Sequence, residues 1–211
     1  MKTRPIAVAA CLVATTAGAA ALAPHGRGRA LSPAFEYGEE HEATRAIGTA
    51  RCGVDRWPVK TLTDRDRARV VLAARPASIR YLGSLPPNPG GQSTRGPLER
   101  RTYAVTATLT KVKREADSDY HLVLSEGRAS MIAEMPFLGC DRGARARVRI
   151  AVARSALDAA LRGPVGRSWR HAELLVRVTG VLFFDFGHGQ SGHAPNFVEL
   201  HPVTSFRVLA R

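Results

Sequence analysis

The chain has 211 residues, 45% of them hydrophobic and 23% charged, which supplies enough apolar material for a core and excludes an intrinsically disordered chain. Lys and Arg total 31 against 18 Asp and Glu, a formal charge of +13, which points to polyanions or acidic surfaces as partners. Only Lys2, Lys60, Lys111 and Lys113 are lysines, so the excess is almost wholly arginine and by itself names no partner.

Residues 1–5 carry Lys2 and Arg4, and residues 6–23 form an Ala-rich apolar run that ends Ala21-Leu22-Ala23 before Pro24. A basic start, a short apolar run and an Ala-x-Ala end predict a secretory signal peptide over residues 1–23, hence a secreted or periplasmic protein. The run is short and rich in small residues for a membrane span, and no later stretch has the length to cross a bilayer. Val8-Ala9-Ala10-Cys11 resembles a lipoprotein cleavage box only faintly, because the apolar run continues past Cys11. Loss of the signal removes Cys11 and leaves Cys52 and Cys140. In an oxidising compartment that pair reads most simply as a disulfide, the spacing lacking the close cysteines of thiol or metal sites.

Residues 24–51 have an acidic patch (Glu36, Glu39, Glu40, Glu42) and no sustained apolar period, and are expected to be a flexible leader. Residues 52–101 are expected to pack as an extension on the domain that follows. Within them Pro76 is placed in the first turn of a short helix running to Leu82. The four prolines and three glycines of residues 85–97 predict a surface connection without ladder hydrogen bonds.

Residues 102–211 carry the strand signals. Tyr103, Val105, Ala107 and Leu109 alternate with Ala104, Thr106, Thr108 and Thr110, the period of a sheet with one wet face. Residues 120–124 and 130–135 predict two more strands, separated by Gly127. Ser155 and Asp158 resemble a capping box and Gly163-Pro164 a stop, so a short helix is expected between them. Residues 145–152 fit either a strand or an earlier part of that helix. Residues 174–186 and 196–209 predict the last strands. Three strands, a helix and two strands are the element order of an OB fold, so the expectation is a mainly β, five-stranded OB-like Greek-key barrel with one short helix between strands three and four. The alternative is a β-sandwich.

Four polar clusters interrupt these strands. They hold Asp119 and His121, Glu134, Asp185 with His188 and Gln190, and Glu199 with His201. Each pair two apart on a strand shares a face, so Asp119 with His121, and Glu199 with His201, are candidates for one carboxylate–imidazole site if their strands are neighbours. These seven acids and histidines are the candidate catalytic residues of a metal-assisted hydrolase, which needs about three ligands, an open position for water and a base. No HExxH, close cysteine pair or phosphate loop fixes a metal or cofactor. Separately, Arg142, Arg145, Arg147, Arg149, Arg154, Arg162, Arg167 and Arg170 share their span with the single acid Asp158, a stripe able to neutralise phosphates. The loop with His188, Gln190 and Asn196 lies where OB barrels border their binding face.

The strings Tyr103-Ala-Val-Thr-Ala-Thr-Leu-Thr, Asp117-Ser-Asp-Tyr-His-Leu-Val-Leu, Met131-Ile-Ala-Glu-Met-Pro, Val178-Thr-Gly-Val, Phe184-Asp-Phe-Gly-His-Gly-Gln and Glu199-Leu-His-Pro-Val resemble a family of exported bacterial proteins of no assigned activity. The resemblance covers most of residues 52–208, extends to Cys52 and Cys140, and implies a shared fold without implying a reaction. The leading expectation is an exported, disulfide-stapled OB-like module that binds polyanions, nucleic acid or envelope polymer, through Arg142, Arg145, Arg147, Arg149, Arg154, His188, Gln190 and Asn196. It needs no cofactor. The metal-assisted hydrolase, with a divalent ion, and a structural envelope protein without ligand are the alternatives.

Overall fold

The computed structural model describes residues 44–47, 50–140 and 142–210. The expected signal peptide, Cys11 and most of the expected leader lie outside the described residues. Strands β1 (Thr44–Ile47) and β2 (Ala50–Gly53) pair antiparallel, so the end of the segment expected as a flexible leader is a strand pair. The remaining elements are α1 (Trp57–Lys60), β3 (Val71–Pro76), α2 (Ile79–Gly83), β4 (Arg101–Arg114), β5 (Tyr120–Glu126), β6 (Ala129–Met135), α3 (Arg147–Ala160), β7 (Arg170–Phe184) and β8 (Val198–Ala210). No helix among the described residues is long and apolar enough to cross a membrane.

The protein is mainly β, built on one six-stranded mixed sheet in the order β3-β4-β5-β6-β8-β7, with β4 also paired to β7. From β4 the hydrogen-bonded neighbours run through β5, β6, β8 and β7 and return to β4. The strands of residues 101–210 therefore belong to one sheet rather than to the two packed sheets of a sandwich. Six strands stand where five were expected. The addition is β3, which runs parallel to β4 with Arg75 opposite Tyr103. Pro76 closes this edge strand, where its missing N–H costs no ladder bond, instead of opening a helix. Ser78 caps α2 in its place, its Oγ accepting from Tyr81 N at 3.0 Å.

Alternation places Tyr103, Val105, Ala107 and Leu109 of β4 in the main core, where they meet Leu122 and Leu124 of β5, Met131 and Ala133 of β6, Val176 and Val178 of β7 and Leu200 of β8. Helix α3 begins well before Ser155. Its buried residues, Ile150, Ala153, Arg154 and Leu157, fall at helical spacing, which resolves residues 147–152 as helix and leaves Ser155 inside the helix rather than at its cap. Residues 85–97 form the expected connection without ladder bonds, largely exposed, and it is anchored at its end. Arg95 and Glu99 are buried, and the Gly90 and Gly96 amides donate to Glu99 Oε2 at 2.9 and 2.8 Å. Arg56 grips the same carboxylate through both terminal nitrogens, at 2.7 and 2.8 Å, while Arg95 pairs with Asp64 at 2.9 Å. The disulfide joins Cys52 to Cys140 with Cα atoms 5.8 Å apart, across 88 residues. Closing so long a loop stabilises by about 4–5 kcal/mol in the chain-entropy account.

Candidate functional site

Strand alternation that sends Tyr120, Leu122 and Leu124 of β5, Met131, Ala133 and Met135 of β6, and Val198 and Leu200 of β8 into the core turns His121, Glu134, Glu199 and His201 onto the opposite face. The register then sets them side by side. His121 is opposite Glu134, Ala133 is opposite Leu200 so that Glu134 and His201 are adjacent, and Phe183 of β7 is opposite Glu199. Residues from three sequence clusters thus form a row across β5, β6 and β8, with Asp119 just ahead of β5. The row is sealed: Asp119, His121 and His201 are 0% exposed, Glu199 2% and Glu134 7%.

Glu134 reaches both imidazoles. Its Oε2 lies 3.0 Å from His201 Nδ1 and its Oε1 lies 3.1 Å from His121 Nδ1. The other nitrogen of His201 faces Asp119 Oδ2 at 3.6 Å, an ion-pair distance rather than a hydrogen bond, and Glu199 Oε2 stands 4.0 Å from His201 Nδ1. His121 Nδ1 also meets Glu115 Oε1 at 3.2 Å. Its Nε2 lies 3.2 Å from the Ser191 carbonyl, which can only accept, so Nε2 is the donor and Nδ1 is turned to the carboxylates. Asp119 is held in position by its other oxygen, which accepts from the Phe137 amide at 2.6 Å.

Burial outweighs the His201 contact at Asp119 and, with the charge of Glu134, raises its carboxyl above the usual carboxylate range. Burial, with the charges of Asp185 and Glu134, raises Glu199 well above that range. At Glu134 burial acts in the same direction but is overcome by His121 and His201, so its carboxyl lies well below. At His201 burial opposes the charged form and is overcome by Asp119 and Glu134, which raise the imidazole.

One oxygen each from Asp119 and Glu134 and one ring nitrogen of His201 lie within 4.8 Å of one another, a span that a single divalent ion can bridge. Asp119 Oδ2 and Glu199 Oε2 make no hydrogen bond with the described residues although fully buried, while His201 turns Nδ1 to Glu134 at 3.0 Å and Nε2 to Asp119 at 3.6 Å. Buried polar atoms left in that state cost free energy, and a cation is the partner that carboxylate oxygens and imidazole nitrogen share.

The cover comes from α1, the 185–197 loop and Trp169. Lys60, 2% exposed, puts its Nζ 3.6 Å from Asp185 Oδ2, and the Trp169 ring meets His121 edge-on at 5.4 Å. Lys111 Nζ donates to Ser191 Oγ at 2.6 Å. Gly192 has φ +88°, and a Cβ there would lie 2.4 Å from Val123 Cγ1, so the loop approaches the sheet at a point only glycine fits. His188 is 3.4 Å from Asp185 and rests against Phe186. Gln190 donates to the Phe186 carbonyl, and Asn196 donates to the carbonyls of Leu82 and Leu85. Both expected binding residues shape the loop. A surface cleft of about 860 Å³ between Ile79, Arg128 and Pro195 has none of the buried row in its lining.

The arginine stripe divides. Arg145 donates to the carbonyls of Arg67 and Val70, Arg147 to that of Leu138, and Arg154 to that of Met135 while stacking 3.6 Å over the Tyr120 ring. Arg142 and Arg149 are exposed. Lys60, Glu115 and Ser191 belong to the site without having been singled out in the sequence; Glu115 reaches His121 from the β4–β5 turn, and Lys60 and Ser191 arrive through long-range packing that no local pattern announces.

Among solved structures the chain is similar to a putative aspartyl-tRNA synthetase from Leishmania major Friedlin, with a TM-score of 0.41 and 13% identity over 67% of this chain and 22% of that one. It is also similar to the aspartyl tRNA synthetase from Entamoeba histolytica, with a TM-score of 0.36 and 15% identity over 65% of this chain and 21% of that one. The chain thus spans about a fifth of the length of these structures. No family model and no curated protein matches it.

Proposed function

We propose that this chain is an exported, disulfide-stapled OB-like protein that binds one divalent cation through Asp119, Glu134 and His201. The observation that carries the reading is the convergence of Asp119, Glu134 and His201 on one buried point of the sheet, with Asp119 Oδ2 left without a hydrogen bond there. The OB-like part is supported by the return of the pairing order to β4, the parallel β6–β8 pair and a helix between β6 and β7. Export rests on the signal-type sequence of residues 1–23. Carboxylate oxygens with an imidazole suit Mn²⁺, Fe²⁺, Co²⁺ or Zn²⁺ and not a soft ion such as Cu⁺. Binding ranks ahead of hydrolysis because a hydrolytic ion needs an approach for substrate, and the row is covered by Lys60, Trp169 and the 185–197 loop.

The test is metal analysis of the chelator-stripped protein titrated with Mn²⁺, Fe²⁺, Co²⁺ and Zn²⁺, with thermal unfolding alongside. One tightly held ion per chain is expected, with a raised Tm and loss of both effects in His201→Ala. Failure of all four ions to bind stoichiometrically overturns the reading.

Polyanion binding is a second reading, favoured by exposed Arg142 and Arg149 in a chain of charge +13. Retention of DNA, RNA or an anionic polymer that weakens as salt rises would support it, and retention indifferent to salt would sink it.

A further inference from the structure

We propose that Glu199 supplies a fourth protein ligand to the ion, which makes the centre a closed, stabilising site rather than one with a position for a reacting water. The inference rests on the cation reading above and goes beyond it by assigning the coordination sphere.

Glu199 lies two residues from His201 on β8 and shares its face. It is 2% exposed, and its Oε2 makes no hydrogen bond with the described residues. Its register neighbours on either side are Ile132 of β6 and Phe183 of β7, both fully buried. A buried carboxylate between two apolar residues, with His201 Nδ1 no nearer than 4.0 Å and its burial only partly offset by the charges of Lys60 and His121, is costly. The cost falls if the carboxylate faces a cation. Two ligands bonded to one ion at about 2.1 Å stand roughly 3.4 Å apart in a tetrahedron and about 4.2 Å when opposed. The 4.0 Å between Glu199 Oε2 and His201 Nδ1 exceeds the tetrahedral separation by about 0.6 Å. Glu199 stands outside the trio whose atoms lie within 4.8 Å, so a small side-chain adjustment accompanies ion binding.

Four protein ligands define a structural site, whereas three and a water define a catalytic one. The burial of all four groups and the cover drawn across them fit the first. The ion would then fasten β5, β6 and β8 to one another on the face opposite the core.

Cobalt(II) is the probe, because a four-coordinate cobalt ion absorbs visible light much more strongly than a five- or six-coordinate one. The full chain, stripped and reloaded with Co²⁺, is expected to give the intense spectrum. Glu199→Ala is expected to bind Co²⁺ about tenfold or more weaker, with a several-fold fall in absorbance as waters enter the opened side and raise the coordination number above four. Glu199→Gln keeps the shape and serves where the alanine variant fails to fold. Its amide is a poor replacement for the carboxylate, and it is expected to weaken Co²⁺ in the same direction. A weak spectrum in the unsubstituted protein, or variants with unchanged spectrum and affinity, overturns the assignment of Glu199 and leaves the three-ligand centre standing. Absence of any cobalt binding by the unsubstituted protein removes the centre itself.

Discussion

Glu134 and His201 stand side by side on β6 and β8, two strands joined in parallel, with the carboxylate Oε2 3.0 Å from the imidazole Nδ1. Because the second oxygen of Glu134 meets His121, one side chain connects both imidazoles. Glu134→Ala leaves two buried rings without their common counter-charge. A loss of about 3–5 kcal/mol is expected in urea unfolding, the range for breaking one side of a buried pair, together with loss of cation binding. A variant of undiminished stability would mean that the imidazoles are neutral and that Glu134 contributes little to their environment.

Much of this site was open to sequence reasoning, and the reason is periodicity. Asp119 with His121 and Glu199 with His201 could each be placed on one strand face, since side chains alternate with period two. What periodicity cannot supply is strand adjacency. The β6–β8 pairing joins residues separated by α3 and β7, and it alone carries Glu134 to His201. Local signals also misled where two readings shared a pattern. Ser155 resembles a cap yet is carried inside a helix whose burial period begins at Ile150, and Pro76 suits either a helix start or an edge-strand end. In the basic stripe, Arg145, Arg147 and Arg154 donate to main-chain carbonyls, a role that planar five-donor groups fill well, while Arg142, Arg149, Arg162, Arg167 and Arg170 are exposed.

Glu99 gives a pH prediction. Burial would raise its carboxyl, but the Arg56 guanidinium and the Gly90 and Gly96 amides outweigh burial and hold it below the usual carboxylate value. A group depressed in the folded state stabilises above its unfolded pKa, near 4.3, and that stabilisation is lost as pH falls through the lower folded value. Stability is therefore expected to decline from about pH 5 downward. Glu99→Gln should be less stable at neutral pH by about 3–5 kcal/mol, with a flatter acid limb. Equilibrium unfolding across pH 2–7 separates the two, and parallel acid limbs would show that Glu99 is not the group responsible.

Gly192 connects the loop to its seat on the sheet. With φ at +88° and Val123 Cγ1 2.4 Å from the position of a Cβ, Gly192→Ala incurs both backbone strain and a steric overlap. The expected cost is about 1–3 kcal/mol, concentrated in the loop rather than the core. Hydrogen exchange should quicken around Ser191 and His121 while β4 and β7 keep their protection, and the loaded protein should yield its ion faster to a chelator. Uniform loss of protection would place Gly192 in the global unfolding unit instead.

The arginines allow the two proposed roles of the basic face to be separated. Arg154 is 8% exposed, donates to the Met135 carbonyl and covers the Tyr120 ring, so Arg154→Ala removes packing and a buried donor at once. Arg149 is exposed on the same helix, where substitutions away from special contacts change stability by no more than about 0.5 kcal/mol. If polyanions bind this face, Arg149→Ala should lower affinity and reduce the salt slope by about 0.7–0.9 for one lost phosphate contact, at unchanged Tm. Arg154→Ala should lower Tm and leave the slope alone. Filter-binding titrations at several salt concentrations with thermal unfolding of both variants decide the matter. A slope insensitive to Arg149 would remove the helix from any anionic interface, leaving its arginines the work of fastening α3 to the sheet beneath it.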